Sequence, residues 1–331
     1  MILNQPAPIE SSPLQAREVP DPTPGSREAR LRVHCCAICR TDLHVIEADL
    51  PPAKLPVIPG HQIIGTVERV GEGCTRLRPG MRVGVAWLRH TCGQCRFCTV
   101  DRENLCEHSQ YTGYTADGGY AEFAIVPEDF AYEIPTAFDD VEASPLLCAG
   151  IIGYRAMKRC NLRPGSSLAI FGFGSSAHIV LQLAVHQRCD VHVVSRNANH
   201  QKLAMKLGAR WAGDDATKMP GKVQSAIVFA PVGSVVPAAL QSLDRGGVVS
   251  LAGIHMSPIP ELTYDRDLFQ ERDIHPVTAN TRKDAIQLLN AAAEARVKPH
   301  TTVYPLHEAN RALSDMKAGR IDGTGVLLIN R

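Results

Sequence analysis

The stretch AIFGFGSSAHIVLQLA, Ala169–Ala184, reads as a strand, a glycine turn and a helix. Gly172 and Gly174 occupy the first two positions of a dinucleotide fingerprint, and Ala177 takes the third, where alanine is an accepted substitute. The first glycine makes the turn, and the second lets the backbone approach a pyrophosphate. The helix N-terminus then supplies positive partial charge. A glycine pattern alone is a weak signal; its setting gives it weight. Strands predicted at 168–171, 191–195, 226–229 and 248–252 alternate with helices at 175–187, 199–207 and 235–243. A further strand signal at 274–278 extends the series. This alternation implies an α/β fold, with a doubly wound parallel sheet and helices on both faces.

The end of the second of these strands reads the cofactor's ribose. An acid there would hold the diol, whereas this chain has Ser195 followed by Arg196. A hydroxyl and a guanidinium suit a 2′-phosphate, and His200 and Lys202 follow on the next helix. The next acid, Asp214, is expected to lie well outside the turn. NADP(H) is therefore favoured over NAD(H), against the plainer reading of Arg196 as a solvated loop residue.

Upstream, residues 1 to about 135 carry short apolar runs broken by Gly and Pro (ARLRVHCCAI, IIGTVERVG, RVGVAWL, YAEFAIVP), the pattern of a compact β-barrel-like domain. The pattern changes near Asp139. Downstream, an amphipathic helix at 282–295 precedes a strand at 301–306, a helix at 307–318 and a strand at 325–329, which return to the first domain's style. The expected division is residues 1–138 with 297–331, and 139–296.

The 331 residues have a net charge of +1, a 44% hydrophobic share and a 21% charged share. This balance is that of a soluble globular chain and gives no electrostatic case for nucleic acid or an anionic membrane. No signal peptide and no membrane-spanning stretch is recognisable. Eleven cysteines without an export signal point to a reducing cytoplasm with metal-bound thiolates.

Cys92, Cys95, Cys98 and Cys106 follow C-x2-C-x2-C-x7-C spacing. Two-residue gaps curl successive sulfurs toward one centre, and the fourth closes a tetrahedron with no open position, so the site is a structural zinc. The long last gap and the missing Cys-Pro ending argue against an iron–sulfur cluster. In CCAICRTDLH, Cys39 offers a thiolate, Asp42 a carboxylate, and Thr41 and His44 a hydroxyl and an imidazole. These are parts of a metal site that also moves protons, though alone the run is weak.

With His61 in PGHQIIG and Cys148 in PLLCAG, the chain resembles the zinc-dependent medium-chain alcohol dehydrogenases over essentially its whole length. Gly60-His61-Gln62, Gly65 and Gly71 match that family's zinc signature in spacing. The resemblance implies a GroES-like catalytic domain and a Rossmann domain with the active site between them. It implies a catalytic zinc on Cys39, His61 and Cys148, hence two zincs per chain. Asp42 would orient His61, and Arg40 would contact the cofactor pyrophosphate. Thr41 would pass the alcohol proton through the nicotinamide ribose toward His44. Trp87 would wall a narrow pocket for small alcohols. Gln62 stands where the family carries an acid behind the metal, which puts ligand exchange in doubt more than zinc binding. The activity implied is reversible oxidation of a small primary or secondary alcohol to an aldehyde or ketone. An NADPH-dependent aldehyde reductase and a non-catalytic zinc- and nucleotide-binding homologue are the alternatives. A homo-dimer or homo-tetramer is expected from the family.

Overall fold

The computed structural model describes residues 1–329. They divide into two compact units: Met1–Cys148 with Ala279–Ala293 and the segment from Pro299 onward, and Ala149–Thr278 with Glu294–Lys298. The first boundary falls at Cys148/Ala149 instead of 138/139, because residues 139–148 are tied to the first unit. Asp140 accepts from Arg82 and pairs with His34, and Ser144 accepts from the Ala37 N–H. Ala279–Ala293, expected in the second unit, groups with the first. Arg282 there donates to Glu103 and lies over the Phe130 ring.

In chain order the principal strands are β1 Glu28–Ala37, β2 Gln62–Val70, β3 Arg82–Val85, β4 Phe123–Pro127, β5 Ala131–Glu133, β6 Ser167–Phe171 and β7 Asp190–Val194. They continue as β8 Trp211–Gly213, β9 Val223–Val228, β10 Leu243–Leu251, β11 Asp273–Pro276, β12 Thr301–Pro305 and β13 Thr324–Leu328. The helices used below are α1 Arg40–Ile46, α2 Ala149–Arg159, α3 Ser175–His186 and α4 Ala198–Lys206. Among the described residues, no helix is long and apolar enough to cross a membrane.

The first unit is built on β1, which pairs antiparallel with β2 along one edge and with β4 and β13 along the other. The full order is β12-β13-β1-β2-β3-β5, with β4 also on β1. Leu31 and Val33 of β1, Ile63 and Val67 of β2 and Val83 and Val85 of β3 are fully or almost fully buried in one core. Burying each such side chain contributes about 1.5–3 kcal/mol, which fixes the register of the strands that carry the site.

The second unit holds a six-stranded parallel sheet in the order β8-β7-β6-β9-β10-β11. This is the doubly wound order with a topological switch beside β6, at whose carboxyl end a ligand crevice is expected. β8 was not legible in the sequence: three residues at a sheet edge carry too little periodicity. Its register pairs Gly213 with Val194, and the Ser195 N–H donates to the Gly213 carbonyl at 2.8 Å. Asp214, the next residue, therefore leaves the sheet alongside Ser195. That corrects the expectation that Asp214 lies well outside the turn.

Candidate active site and metal centres

Cys39 closes β1's path into α1. It is the extended N-cap of the helix, with φ −138° and ψ 158°, and its N–H donates to Asp42 Oδ2 at 2.8 Å. The other carboxylate oxygen, Oδ1, meets His61 Nδ1 at 2.9 Å. Asp42 is 2% exposed, and Tyr120 donates a third hydrogen bond to Oδ2 at 3.0 Å. Because Nδ1 of His61 is engaged with Asp42, Nε2 is the ring atom left to face a metal. That atom is buried without a hydrogen-bond partner.

His61 starts from a tight turn. Gly60 has φ +94°, and a Cβ on it would lie 2.3 Å from the Tyr120 ring. Only glycine lets that ring pack there and reach Asp42. Cys148 follows a short turn at Ser144–Leu147. Ser144 ties that turn to both β1 and β2, accepting from Ala37 N–H at 2.7 Å and donating to the Gln62 carbonyl at 2.6 Å.

One donor atom each from Cys39, His61 and Cys148 lies within 4.8 Å of the others. The two sulfurs are 3.8 Å apart. A tetrahedral site with metal–sulfur bonds of about 2.3 Å requires sulfur–sulfur edges of about 3.8 Å, so the set fits zinc. Its electrostatics point the same way. The hydrogen bond with Cys148 pulls the Cys39 thiol well below its ordinary value despite burial, with help from His61. The same shared hydrogen, with burial, pushes Cys148 well above. Burial opposes charge on His61, yet Asp42, with help from Cys39, outweighs it and lifts the imidazole to about 10, so a dication bound there would displace its second proton. A dication would stand where the two sulfurs now share a proton. Three protein ligands leave a fourth position open, as in catalytic zinc sites.

The Thr41 hydroxyl sits beside this set, accepting from Cys39 Sγ at 3.6 Å. His44, at the other end of α1, holds Asp49 through Nδ1 at 2.8 Å. Arg40 is exposed in the first turn of α1. Gln62 is 1% exposed, and its amide donates to the carbonyls of Ala37 and Ile38, both at 3.2 Å. An acid at this position would face two carbonyl oxygens, so the amide is the residue that this backbone accepts. Trp87 packs edge-on to His61, with ring centroids 5.1 Å apart.

Cys92, Cys95, Cys98 and Cys106 form a second group, with all sulfurs within 4.8 Å. Neighbouring pairs stand at 3.5, 3.6 and 4.0 Å, close to the tetrahedral edge, with no open position. Backbone N–H groups of Gln94 and Cys95 hold the Cys92 thiol down to about 6, and burial lifts Cys98 to about 11. Short strands Leu88–His90 and Gln110–Tyr111 pair at the base of this lobe. The remaining cysteines, Cys35, Cys36, Cys74, Cys160 and Cys189, are outside both groups, and burial keeps each of them protonated.

In the second unit, Gly172 turns the chain at φ +87°, and a Cβ there would meet the Ala230 backbone nitrogen at 2.9 Å. At Gly174 a Cβ would meet no atom within 4 Å, so open space lies before the N-terminus of α3. Ala177 is fully buried on the inner face of that helix. The turn thus has the space and the donors that a pyrophosphate needs. Ser195 is buried, its Oγ 3.5 Å from His200 Nδ1, while Arg196 is exposed and has no acidic partner among the described residues.

Residues 25–136 match the family model described as the alcohol dehydrogenase GroES-like domain, and 177–294 match zinc-binding dehydrogenase. A Mycobacterium tuberculosis protein named "Probable alcohol dehydrogenase AdhA" is 49% identical over 99% of this chain and 96% of its own length. The chain belongs to the zinc-dependent medium-chain alcohol dehydrogenases. Solved structures of alcohol dehydrogenases agree. A cinnamyl alcohol dehydrogenase from Sorghum bicolor is 27% identical with a TM-score of 0.86, covering 93% of this chain and 92% of its own. The cobalt- and zinc-bound thermostable enzyme from Pyrobaculum aerophilum is 25% identical with a TM-score of 0.89, covering 99% and 98%. Membership makes this alcohol dehydrogenase an oxidoreductase that uses zinc and a nicotinamide cofactor on a small alcohol or aldehyde.

The sequence reading missed Tyr120, Ser144 and Asp49. Tyr120 follows a Gly118-Gly119 pair that signals close backbone packing. Ser144 and Asp49 carry no local signal.

Proposed function

We propose that this alcohol dehydrogenase carries two zincs per chain, a catalytic one on Cys39, His61 and Cys148 and a structural one on Cys92, Cys95, Cys98 and Cys106. The reading is carried by the buried, unpartnered His61 Nε2 beside two sulfurs at a tetrahedral edge distance. When bound, zinc supplies Lewis acidity to the alcohol oxygen, and the nicotinamide supplies the hydride acceptor. The chain's own residues do the rest. Asp42 holds the proton on His61 Nδ1 and so keeps Nε2 available. Gln62 braces the strand behind the ligands. Thr41 Oγ1 receives the alcohol proton. His44, anchored at Nδ1 to Asp49, takes that proton toward solvent. Trp87 limits the substrate to small alcohols.

The glycine turn at Gly172 and Gly174, with Ala177 on its helix and Arg40 as a further contact, binds the pyrophosphate. Ser195 and Arg196 favour NADP(H): Arg196 is exposed and has no acidic partner among the described residues, and a charge-assisted hydrogen bond to phosphate contributes about 1.5–3 kcal/mol. The second reading is NAD(H), because β8 brings Asp214 to the strand end beside Ser195, where an acid discourages a phosphate. The enzyme works in the cytoplasm as a homo-dimer or homo-tetramer, and aldehyde reduction is its direction if NADPH is the working cofactor. The test is turnover of short alcohols and aldehydes with each cofactor, before and after chelation, in the parent and in Ser195→Asp and Arg196→Ala. A lower KM for NADP(H), reversed by Ser195→Asp and weakened by Arg196→Ala, bears the reading out. Equal loss of both cofactors in Arg196→Ala removes the basis for the preference, and turnover that survives zinc removal removes the catalytic-zinc reading.

A further inference from the structure

Trp87 does not stand alone beside His61. Tyr111 and Tyr114 lie 5.0 and 5.8 Å from its indole, both close to parallel with it at 22° and 19°. The two tyrosine rings are only 6.5 Å from each other. Both rings therefore pack against the indole as neighbours of each other.

Each support is itself anchored. The Tyr111 hydroxyl shares a hydrogen bond with Ser109 Oγ at 2.7 Å, and the Tyr114 hydroxyl donates to the Pro51 carbonyl at 2.6 Å. The backbone is pinned as well: Thr112 N–H donates to the Trp87 carbonyl and Thr112 Oγ1 to the Ala86 carbonyl, both at 2.9 Å. An isolated indole can swing about its side-chain torsions. This one is in contact with two tethered rings and with the imidazole that it meets at 74°.

We infer that Tyr111 and Tyr114 are specificity-determining positioning residues. They back the Trp87 indole so that it cannot yield to a substrate, restricting the enzyme to slim alcohols over bulky ones. The inference rests on Trp87 walling the substrate position. Each aromatic pair contributes a modest preference, and two together bias the indole's rotamer by about tenfold.

The experiment uses Trp87 as its own reporter. The chain has two tryptophans, so a Trp211→Phe background leaves one emitter for time-resolved fluorescence anisotropy. In the same background, kcat/KM is measured for ethanol and for cyclohexanol. Tyr111→Ala with Tyr114→Ala is expected to enlarge the fast depolarisation of Trp87 and to lower the ethanol-to-cyclohexanol ratio by about tenfold. Tyr111→Leu and Tyr114→Leu, which keep apolar volume and fold more safely, should each move both readouts part of the way. A loosened indole with an unchanged ratio overturns the inference, as does an indole that stays rigid in all of these variants. Trp87→Ala separates the two levels. If it lowers the ratio where the tyrosine variants do not, the tyrosine inference alone fails. If it leaves the ratio unchanged, the wall reading beneath it fails.

Discussion

Replacing Asp42 by Asn changes one atom and breaks an arrangement of three donors. In the parent, Cys39 N–H and the Tyr120 hydroxyl share Oδ2, and His61 Nδ1–H holds Oδ1 at 2.9 Å. An amide offers one oxygen. If its NH2 replaces Oδ1, it faces His61 Nδ1–H, and the imidazole must move its proton to Nε2, which removes the lone pair that a metal needs. If its NH2 replaces Oδ2, it faces the Cys39 N–H, and the cap that aims the Cys39 sulfur is lost. Each hydrogen bond to the buried carboxylate contributes about 1.5–3 kcal/mol, and loss of one such partner of a metal ligand costs roughly 10–100-fold in metal affinity. Zinc affinity at the Cys39 site is therefore expected to fall roughly 10–100-fold, with the four-cysteine site unaffected. Chelator competition followed by metal analysis reads this directly. On the proposed two-zinc reading, the parent is expected to keep about two equivalents where Asp42→Asn keeps about one. Retention of both within about threefold of the parent's affinity would refute the orienting role.

Cys95→Ser should release the structural zinc and lower the unfolding midpoint, since metal binding there is linked to folding; calorimetry with and without chelator checks this, and an unchanged midpoint counts against a closed site. Thr41→Ala should reduce kcat strongly at nearly unchanged cofactor affinity, because the role proposed for the hydroxyl is proton movement; wild-type turnover would dismiss that role. Asp267, buried and bonded by both nitrogens of Arg266, is held well below the ordinary carboxylate range by that arginine against its burial. A depressed carboxylate contributes stability above its unfolded pKa and loses it as pH falls through the folded value. Asp267→Asn should therefore lower the urea midpoint at pH 7 and lose much of that difference in strong acid; a constant difference across pH would contradict the linkage.

Features built from near neighbours in the chain were readable from residues alone. The four sulfurs of Cys92–Cys106 converge because two-residue gaps allow few other shapes, and Gly172, Gly174 and Ala177 announce a phosphate turn because no other residues permit that backbone. Cys39 and Asp42 stood out only as a weak local metal-site pattern, and His61 and Cys148 were joined to them through resemblance, since nothing local joins Cys39 to Cys148. What brings them together is Ser144, bridging Ala37 and Gln62 across β1 and β2. The same holds for Tyr120 on Asp42 and for Asp214 beside Ser195. An edge strand as short as β8 leaves no periodic trace, yet its register decides which charge stands near the ribose. Gln62 shows the division within one residue. Its departure from the family acid is plain in the sequence, but the reason, two backbone carbonyls waiting for a donor, exists only once β1 and β2 are paired.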